Sequence, residues 1–290
     1  MAEALAPPFD RPDRGFNALN GWTWVGTYGG HYLQADLLAE FEHGFFTRQW
    51  QGREPDVLAG FLSAGVSVHR LRQVHSGLVL SARQAVAAPW PEADGLVSDD
   101  GGQSLWVCGA DCTPVLIADP EQGRVAACHT GWRGVAARIV PAAIARLEAA
   151  GSRRAALLVA LGPAVRGQAY QVERAVSEQV AASLLPPGQH ASAASAPAAA
   201  PAAAVAADVQ ADPPPIARLR GVGALLEDPE PGRDRLDIRA ATVAQLLEEG
   251  LSPPQISICP CCTHAESELF HSWRRDRVRA VQWSGIVSQG

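Results

Sequence analysis

The chain contains no lysine, and its 24 basic residues are all arginine. They stand against 30 acidic residues, so the net charge at pH 7 is −6. This acidic balance argues against a nucleic-acid partner, because binding to phosphates needs a basic surface. The sequence also lacks an apolar run of the roughly 18 to 20 residues that a membrane-spanning helix requires. We therefore expect neither nucleic acid nor a membrane as a partner.

The chain is poor in cysteine and lacks the pattern of a secretory signal. Six cysteines in 290 residues are too few for a disulfide scaffold. Residues 1–10 have neither a basic region nor an apolar core behind it. Both features favour a reducing, cytoplasmic setting, in which cysteines are thiols or metal ligands. Three familiar motifs are absent as well: the phosphate-binding G-x-x-x-x-G-K-[ST] loop, a G-x-G-x-x-G turn after a strand, and the G-x-S-x-G elbow of serine hydrolases.

Short apolar runs are mixed with helical patterns along the chain, which predicts a single α/β domain. Strands are predicted over residues 22–28, 41–48, 67–75, 105–108, 115–118, 125–128, 155–161, 169–172 and 255–259. Helices are predicted over residues 56–64, 134–150, 173–185 and 235–247, with a short helix or turn over 268–276.

The composition changes sharply in one internal tract. From Pro186 to about Pro215 the chain is almost wholly alanine, proline, serine and glutamine, which offers too little apolar bulk to offset the entropy of ordering. We predict a disordered insertion over residues 186–228. It interrupts one catalytic domain formed by 41–185 and 229–290, and residues 1–40 supply an N-terminal extension and the first strands.

Reactive side chains lie beside small residues at three places. Cys112 and His129 flank a predicted hairpin with its turn at residues 119–123. Such a hairpin can bring a thiol and an imidazole together, either as a metal site or as a Cys/His nucleophile pair. His75 ends a predicted strand and can point into a cleft. Taken singly, each of the three also fits an ordinary buried or strand-capping residue.

Two arginines and a cysteine cluster are further candidates. Arg133 follows His129 at a strand-to-helix junction, where unpaired amides and a guanidinium suit an anion. Arg48 ends a predicted strand at an exposed turn. The segment 259–262 contains three cysteines and looks like half of a zinc site, but no matching half is present, so its role stays open.

Eight motifs in order resemble those of the laccase-domain, YfiH-like proteins. They are His43–Arg48, Gln73–His75, Ala93–Ser98, Gly109–Asp119, His129–Gly134, Leu161–Pro163, Tyr170–Glu173, and Cys262–Thr263 with Phe270–Asp276. Members of this family have been described as polyphenol oxidases, peptidoglycan-editing factors, and purine nucleoside phosphorylases with adenosine deaminase activity. The resemblance implies mixed β-sheets layered with helices in an α/β/β/α arrangement. The usual Gly-Gly-Val-Ser segment after Thr-Arg is replaced here by Gln49–Arg53, which puts the substrate-binding rim in doubt.

The resemblance implies one metal ion held by His75, Cys112 and His129. Three protein ligands with an open fourth position are typical of catalytic zinc. Zinc is therefore expected over copper, since one such site lacks the several coppers that four-electron oxygen reduction requires. Zinc can activate water for attack on C6 of adenine, which would be deamination. Phosphorolysis needs cationic groups to hold phosphate, for which Arg48 is the first candidate and Arg133 the second.

The sequence thus predicts a zinc-dependent purine nucleoside phosphorylase with adenosine deaminase activity. Its small-molecule partners would be phosphate and adenosine, inosine or methylthioadenosine. Three alternatives stay open. One is an amidase that edits peptidoglycan precursors, with zinc-activated water or with Cys112 as nucleophile and His129 as base. The others are a copper-dependent polyphenol oxidase and a zinc-binding protein without enzymatic activity.

Overall fold

The computed structural model describes residues 18–184 and 214–290. The strands are β1 (Trp22–Thr27), β2 (Gly30–Ala35), β3 (His43–Phe46), β4 (Ser67–His69), β5 (Val79–Ser81), β6 (Gly95–Val97), β7 (Gln103–Gly109), β8 (Thr113–Asp119), β9 (Arg124–Thr130), β10 (Leu158–Leu161), β11 (Gln171–Glu173), β12 (Leu225–Glu227), β13 (Arg233–Leu236), β14 (Ile256–Ile258) and β15 (Gln282–Val287). The helices are α1 (Pro55–Leu62), α2 (Trp132–Ala136), α3 (Ile139–Ala149), α4 (Arg174–Ala182), α5 (Pro214–Gly221), α6 (Ile238–Glu248) and α7 (Trp273–Asp276). No helix in these two stretches is long and apolar enough to cross a membrane.

Two six-stranded sheets face each other across the main core. The first has the strand order β1-β2-β3-β15-β7-β4, and the second has the order β14-β10-β8-β9-β6-β5. Successive side chains along each strand point to opposite faces of the sheet, so apolar residues contribute to packing on both faces. In β8, Leu116 and Ala118 belong to the core between the sheets, whereas Val115 and Ile117 pack with helices on the outer face. Central strands buried on both faces read as continuous apolar runs, which is why β8 and β9 are recognisable in the sequence.

Helices cover the outer faces of the two sheets. Leu58 of α1 packs with Phe46 and Trp106 against the first sheet. Ile144 of α3 and Leu246 of α6 pack against the second. The predicted α/β/β/α layering is therefore confirmed. A smaller sheet with the order β11-β13-β12 packs with α4 and α5 at the periphery.

Two predicted elements are shorter than expected, each for a different reason. The strand predicted over 67–75 ends at His69; beyond it the backbone of Arg72 bonds to the backbone of Pro91 and Ala93, and the side chain of Gln73 pairs with β7 in place of backbone. The Gln73 amide donates to the carbonyl of Cys108 at 2.7 Å and accepts from its N–H at 2.8 Å. The helix predicted over 134–150 is divided into α2 and α3 at Arg138, whose left-handed φ of 55° interrupts it.

The boundaries around the predicted insertion also need correction. Residues 214–228 include α5 and β12, and Ile216, Leu219 and Leu225 are buried in the cluster beneath α4. The prediction of disorder is therefore wrong for this part, while residues 186–213 lie outside the described chain. The helix predicted from residue 235 begins after Asp237, whose carboxylate accepts from the N–H of Ala240 at 3.0 Å.

The predicted hairpin of β8 and β9 is confirmed and carries the site. Its register pairs Asp119 with Arg124 at the turn and Pro114 with His129 at the open end. Cys112 lies just before β8, so this register brings it close to His129. Two reactive side chains thus meet at the open end of a hairpin whose body is fully buried in the sheet.

The packing between the two sheets at Gly162 gives a stability test. A Cβ on this buried glycine would overlap the Phe45 ring and lie 2.9 Å from Cγ of Pro114. Gly162→Ala should therefore lower the free energy of unfolding by about 1–3 kcal/mol. At the exposed Gly60 of α1 an added Cβ meets nothing, so Gly60→Ala should raise it by about 0.5–1 kcal/mol. Urea unfolding of both variants measures the two changes, and equal stabilities would contradict this packing.

Candidate metal centre

His75, Cys112 and His129 meet at one place. Their ligand atoms all lie within 4.8 Å of one another. The two imidazole rings are 4.8 Å apart between centroids and inclined by 74°. His129 is buried, Cys112 is half-buried and His75 is exposed, so the group is open to solvent on the His75 side.

Cys112 is positioned by the residue before it. Asp111 is buried and adopts a positive φ of 97°, a conformation that is costly for a residue with a side chain. Its carboxylate accepts from the Thr263 hydroxyl at 2.7 Å and from the N–H of Arg274 at 2.6 Å. These bonds tie the start of β8 to the C-terminal segment and hold the strained turn that presents the thiol.

The loop carrying His75 is organised by the buried carboxylate of Asp94. This carboxylate accepts from the backbone N–H groups of Val74, His75 and Ser76 at 3.2, 3.0 and 2.6 Å, and from the Ser76 hydroxyl at 2.8 Å. His75 itself has a left-handed φ of 61°. Three successive amides folded around one carboxylate explain how the loop keeps a conformation that a histidine rarely adopts.

The same carboxylate orients His129. Its Oδ1 lies 2.8 Å from Nδ1 of His129. An ionised carboxylate can only accept, so Nδ1 carries the proton and Nε2 remains as the ligand atom. A carboxylate behind a ligating imidazole is the usual support of a protein metal site. Asp94 therefore joins the two histidines of the group.

The electrostatics of the metal-free group favour the charged forms. Burial raises the pKa of Cys112, but the His129 and His75 imidazoles outweigh it and lower that pKa to about 6. Burial lowers the pKa of His129, but Cys112 and Asp94 outweigh it and raise that pKa to about 9. For Asp94, hydrogen bonds from His129 and Ser76 overcome burial and bring the pKa down to about 2. The thiolate, which is the form that binds metals, is thus present at neutral pH.

The space around the three side chains also suits a bound ion. A Cβ at Gly131 would lie 2.8 Å from Sγ of Cys112 and 3.4 Å from Cδ2 of His75, so the glycine leaves this face clear. The donor set of two imidazoles and one thiolate is one that transition metals bind. Across residues 18–184 and 214–290, no second group of three or more such side chains comes together. These residues fit a single metal ion.

The two arginines from the sequence analysis occupy different surroundings. Arg133 follows Trp132 directly after Gly131 and stacks on the Trp132 ring, with 4.3 Å between guanidinium carbon and ring centroid. Arg48 instead donates from Nη1 to the carbonyl of Ser267 at 2.6 Å. It lines a cavity of about 190 Å³ with His271 and other residues, none of which lines the small space beside Cys112. Arg133 thus follows close after His129 and Gly131 in the chain, whereas Arg48 lies in a separate cavity from the one beside Cys112.

Some residues near the site escape sequence reasoning. Asp94 lies in the motif Ala93–Ser98, but nothing in the sequence indicates that its carboxylate contacts His75 and His129. Tyr170 and Arg274 come from distant segments, and the Arg274 guanidinium stacks 4.8 Å above the Tyr170 ring centroid. In the segment 259–262 the cysteines are buried, and the buried Arg239 donates to the carbonyls of Cys259 and Cys261 at 2.5 and 2.9 Å. That arrangement serves packing of this turn.

Fold and site together define an α/β/β/α protein with one His–Cys–His group at a hairpin end. Residues 56–288 match the family described as multi-copper polyphenol oxidoreductase laccase. This match spans most of the chain, and the protein belongs to that family.

Relatives and solved structures agree with this assignment. A protein from Synechocystis sp. named purine nucleoside phosphorylase is 40% identical over 273 residues, covering 92% of this chain and 97% of its own. A Streptomyces coelicolor protein of the same name is 37% identical over 212 residues, covering 71% and 69%. The crystal structure of YlmD from Geobacillus stearothermophilus has a TM-score of 0.70 at 22% identity, covering 98% and 99% of the two chains. The Bacillus licheniformis protein YfiH gives 0.68 at 22% identity, covering 89% and 96%, so both share the fold.

The role of Asp94 predicts a loss of metal affinity on substitution. Asp94→Asn places an amide nitrogen toward groups that are all donors, which releases the His75 loop and the His129 ring. Affinity for zinc should fall by about 10–100-fold, as measured by competition with a chromophoric chelator. Asp99→Asn is the matched control, because Asp99 lies beyond the other end of β6 and accepts only from the backbone of Arg83. If Asp94→Asn binds zinc as tightly as the wild-type protein does, Asp94 does not support the metal site.

Proposed function

We propose that this protein is a zinc-dependent purine nucleoside phosphorylase that accepts adenosine, inosine and methylthioadenosine and also deaminates adenosine. The observation that carries the proposal is the convergence of His75, Cys112 and His129 within 4.8 Å. It occurs in a chain that is 40% identical over nearly its whole length to a protein named purine nucleoside phosphorylase. All six cysteines are free thiols, consistent with the proposed location in the reducing cytoplasm.

Zinc is the proposed metal because of the types of ligand atom and because the site leaves one coordination position free. Two imidazoles and one thiolate fit zinc, and three protein ligands leave a position free for substrate or water. The family description names copper, which the same donors also bind. Zinc bound here would supply a Lewis acid and activate water. The chain's own contribution is to hold Cys112 as a thiolate and to keep the proton of His129 on Nδ1 through Asp94.

Phosphorolysis exchanges the base of a nucleoside for phosphate. An oxygen of inorganic phosphate forms a bond to C1′ of the ribose while the bond from C1′ to N9 of the purine breaks. The electron pair of that bond goes to the purine, which takes up a proton, so the products are ribose 1-phosphate and free base. Guanidinium groups beside the reacting sugar would hold the phosphate dianion, and Arg133, four residues after His129, is proposed for this role.

Deamination uses water instead of phosphate. Water adds at C6 of adenosine, ammonia leaves, and the product is inosine. The exposed edge of His75 marks the side from which substrate reaches the group. Arg48 lies in the cavity with His271, where it is proposed to bind the substrate at a distance from the reacting bond.

The decisive experiment is incubation of the purified protein with adenosine, with and without phosphate, followed by chromatography. We expect adenine and ribose 1-phosphate only when phosphate is present, and inosine in both cases. Cys112→Ser should lose both activities because it lacks a metal ligand. Cys108→Ser should keep both, since Cys108 is not part of the metal-ligand group.

Other outcomes would favour the alternatives. Release of an amino acid from a nucleotide-linked muropeptide, with adenosine unchanged, would support the amidase. Oxygen uptake with a phenol as substrate would support the polyphenol oxidase. If no substrate reacts and metal removal only lowers the melting temperature, the protein is a non-enzymatic metal-binding protein, and the proposed function is wrong.

A further inference from the structure

We propose that Arg274, which lies over the Tyr170 ring on a segment tied to Asp111 next to Cys112, is the principal group that binds inorganic phosphate, with Arg133 completing the anion site. The reaction in which this phosphate takes part is that of the proposed function. The binding site itself stands on separate observations: where Arg274 is anchored, what its guanidinium touches, and which charges surround Tyr170.

The backbone of Arg274 is fixed next to the metal-ligand group. Its N–H donates to the Asp111 carboxylate at 2.6 Å, and Asp111 directly precedes Cys112. Gly131 also approaches Cys112, since a Cβ there would come within 2.8 Å of Sγ. Arg133 follows two residues later. The backbones of both arginines are therefore tied to segments next to Cys112.

The guanidinium of Arg274 is held by stacking. Its carbon lies 4.8 Å from the centroid of the Tyr170 ring, within the range of a cation–π contact. A contact with the ring face does not use the hydrogen-bonding capacity of the guanidinium, so its N–H groups can still donate to an anion. Among the residues that the structure describes, no carboxylate lies within 4.0 Å of this side chain. A planar, positioned donor group without an acidic partner is what bidentate binding of phosphate requires.

Neighbouring arginines are used differently. Arg275 donates to the carbonyls of Thr263, His264 and Phe270 and pairs with Asp276. Those bonds close the C-terminal segment and make Arg275 structural. Arg48 donates to Ser267 in its own cavity. Of these three arginines, Arg274 is the one whose backbone is hydrogen-bonded to Asp111, the residue before Cys112.

Tyr170 lies among the charges of the site and adds a donor. Burial raises its pKa to about 12, with Cys112 and Asp111 raising it further and Arg274 and Arg133 opposing them. Its hydroxyl thus stays protonated at neutral pH and can donate to an anion. Arg274, Arg133 and Cys112 all influence the charge at Tyr170, so we assign the two guanidiniums and the phenol to one anion site. The guanidiniums would supply the positive charge and the phenol a further donor for a phosphate dianion.

The test measures binding of inorganic phosphate to the metal-loaded protein by calorimetry, together with the Michaelis constant for phosphate. Arg274→Ala should lower the affinity for phosphate by about tenfold or more and raise the Michaelis constant for phosphate by a similar factor, because a charge-assisted hydrogen-bonded pair is lost. Tyr170→Phe keeps the stacked ring and should weaken binding less than Tyr170→Leu, which removes it. Arg277→Ala is the matched control, because Arg277 is an exposed arginine on the same segment. Metal content and melting temperature of each variant report its folding.

The outcomes separate this inference from the proposed function. If Arg274→Ala loses phosphate binding but the wild-type protein does not phosphorolyse nucleosides, the anion site stands and the proposed function fails. If phosphorolysis occurs and Arg274→Ala binds phosphate as well as Arg277→Ala does, the inference is overturned while the function stands. The inference is also overturned if Arg48→Ala loses phosphate binding while Arg274→Ala keeps it. It is likewise overturned if the protein binds adenosine monophosphate but not free phosphate.

Discussion

The carboxylate of Asp94 is the contact on which the geometry of the site depends. One oxygen accepts from Nδ1 of His129 and from the backbone of His75, and the other accepts from the amides of Val74 and Ser76. Buried carboxylates are costly unless they are fully hydrogen-bonded, and this one is. It therefore links a loop that has left-handed backbone geometry to a rigid strand. Asp94 therefore fixes the positions of both candidate histidine ligands.

The sheet explains why Asp94 and His129 are neighbours at all. Strand β6 pairs with β9 so that Gly95 lies opposite Cys128, and the N–H of His129 donates to the carbonyl of Asp94 at 2.7 Å. The strands that carry these residues are buried between helices and a second sheet, which restricts their motion. An exposed loop then supplies His75, and the short helices α2 and α7 carry Arg133 and Arg274. A rigid base with variable loops is a common arrangement for a site that binds small molecules.

Features that are marked by a short stretch of sequence could be predicted, whereas those that depend on contacts between distant segments could not. The apolar runs of β8 and β9, with a turn between them, predict the hairpin, and family motifs point to Cys112, His129 and His75, which the structure brings together. The roles of Asp94 and Arg274 depend on contacts across the fold, which no local pattern encodes. Arg48 lies in a recognisable motif, but the cavity that it lines with His271 is formed by distant segments and could not be predicted from the sequence. The failed prediction of disorder near Leu219 came from composition, because a few apolar residues suffice to bury one short helix.

We propose that His75, Cys112 and His129 hold one zinc ion. X-ray absorption at the metal edge of protein purified without added metal, combined with elemental analysis, tests this directly. One zinc per chain is expected, coordinated by two imidazole nitrogens and by one sulfur at about 2.3 Å. In Cys112→Ser the sulfur contribution should disappear. Copper in place of zinc, a shell without sulfur, or wild-type metal content and an unchanged spectrum in Cys112→Ser would contradict it.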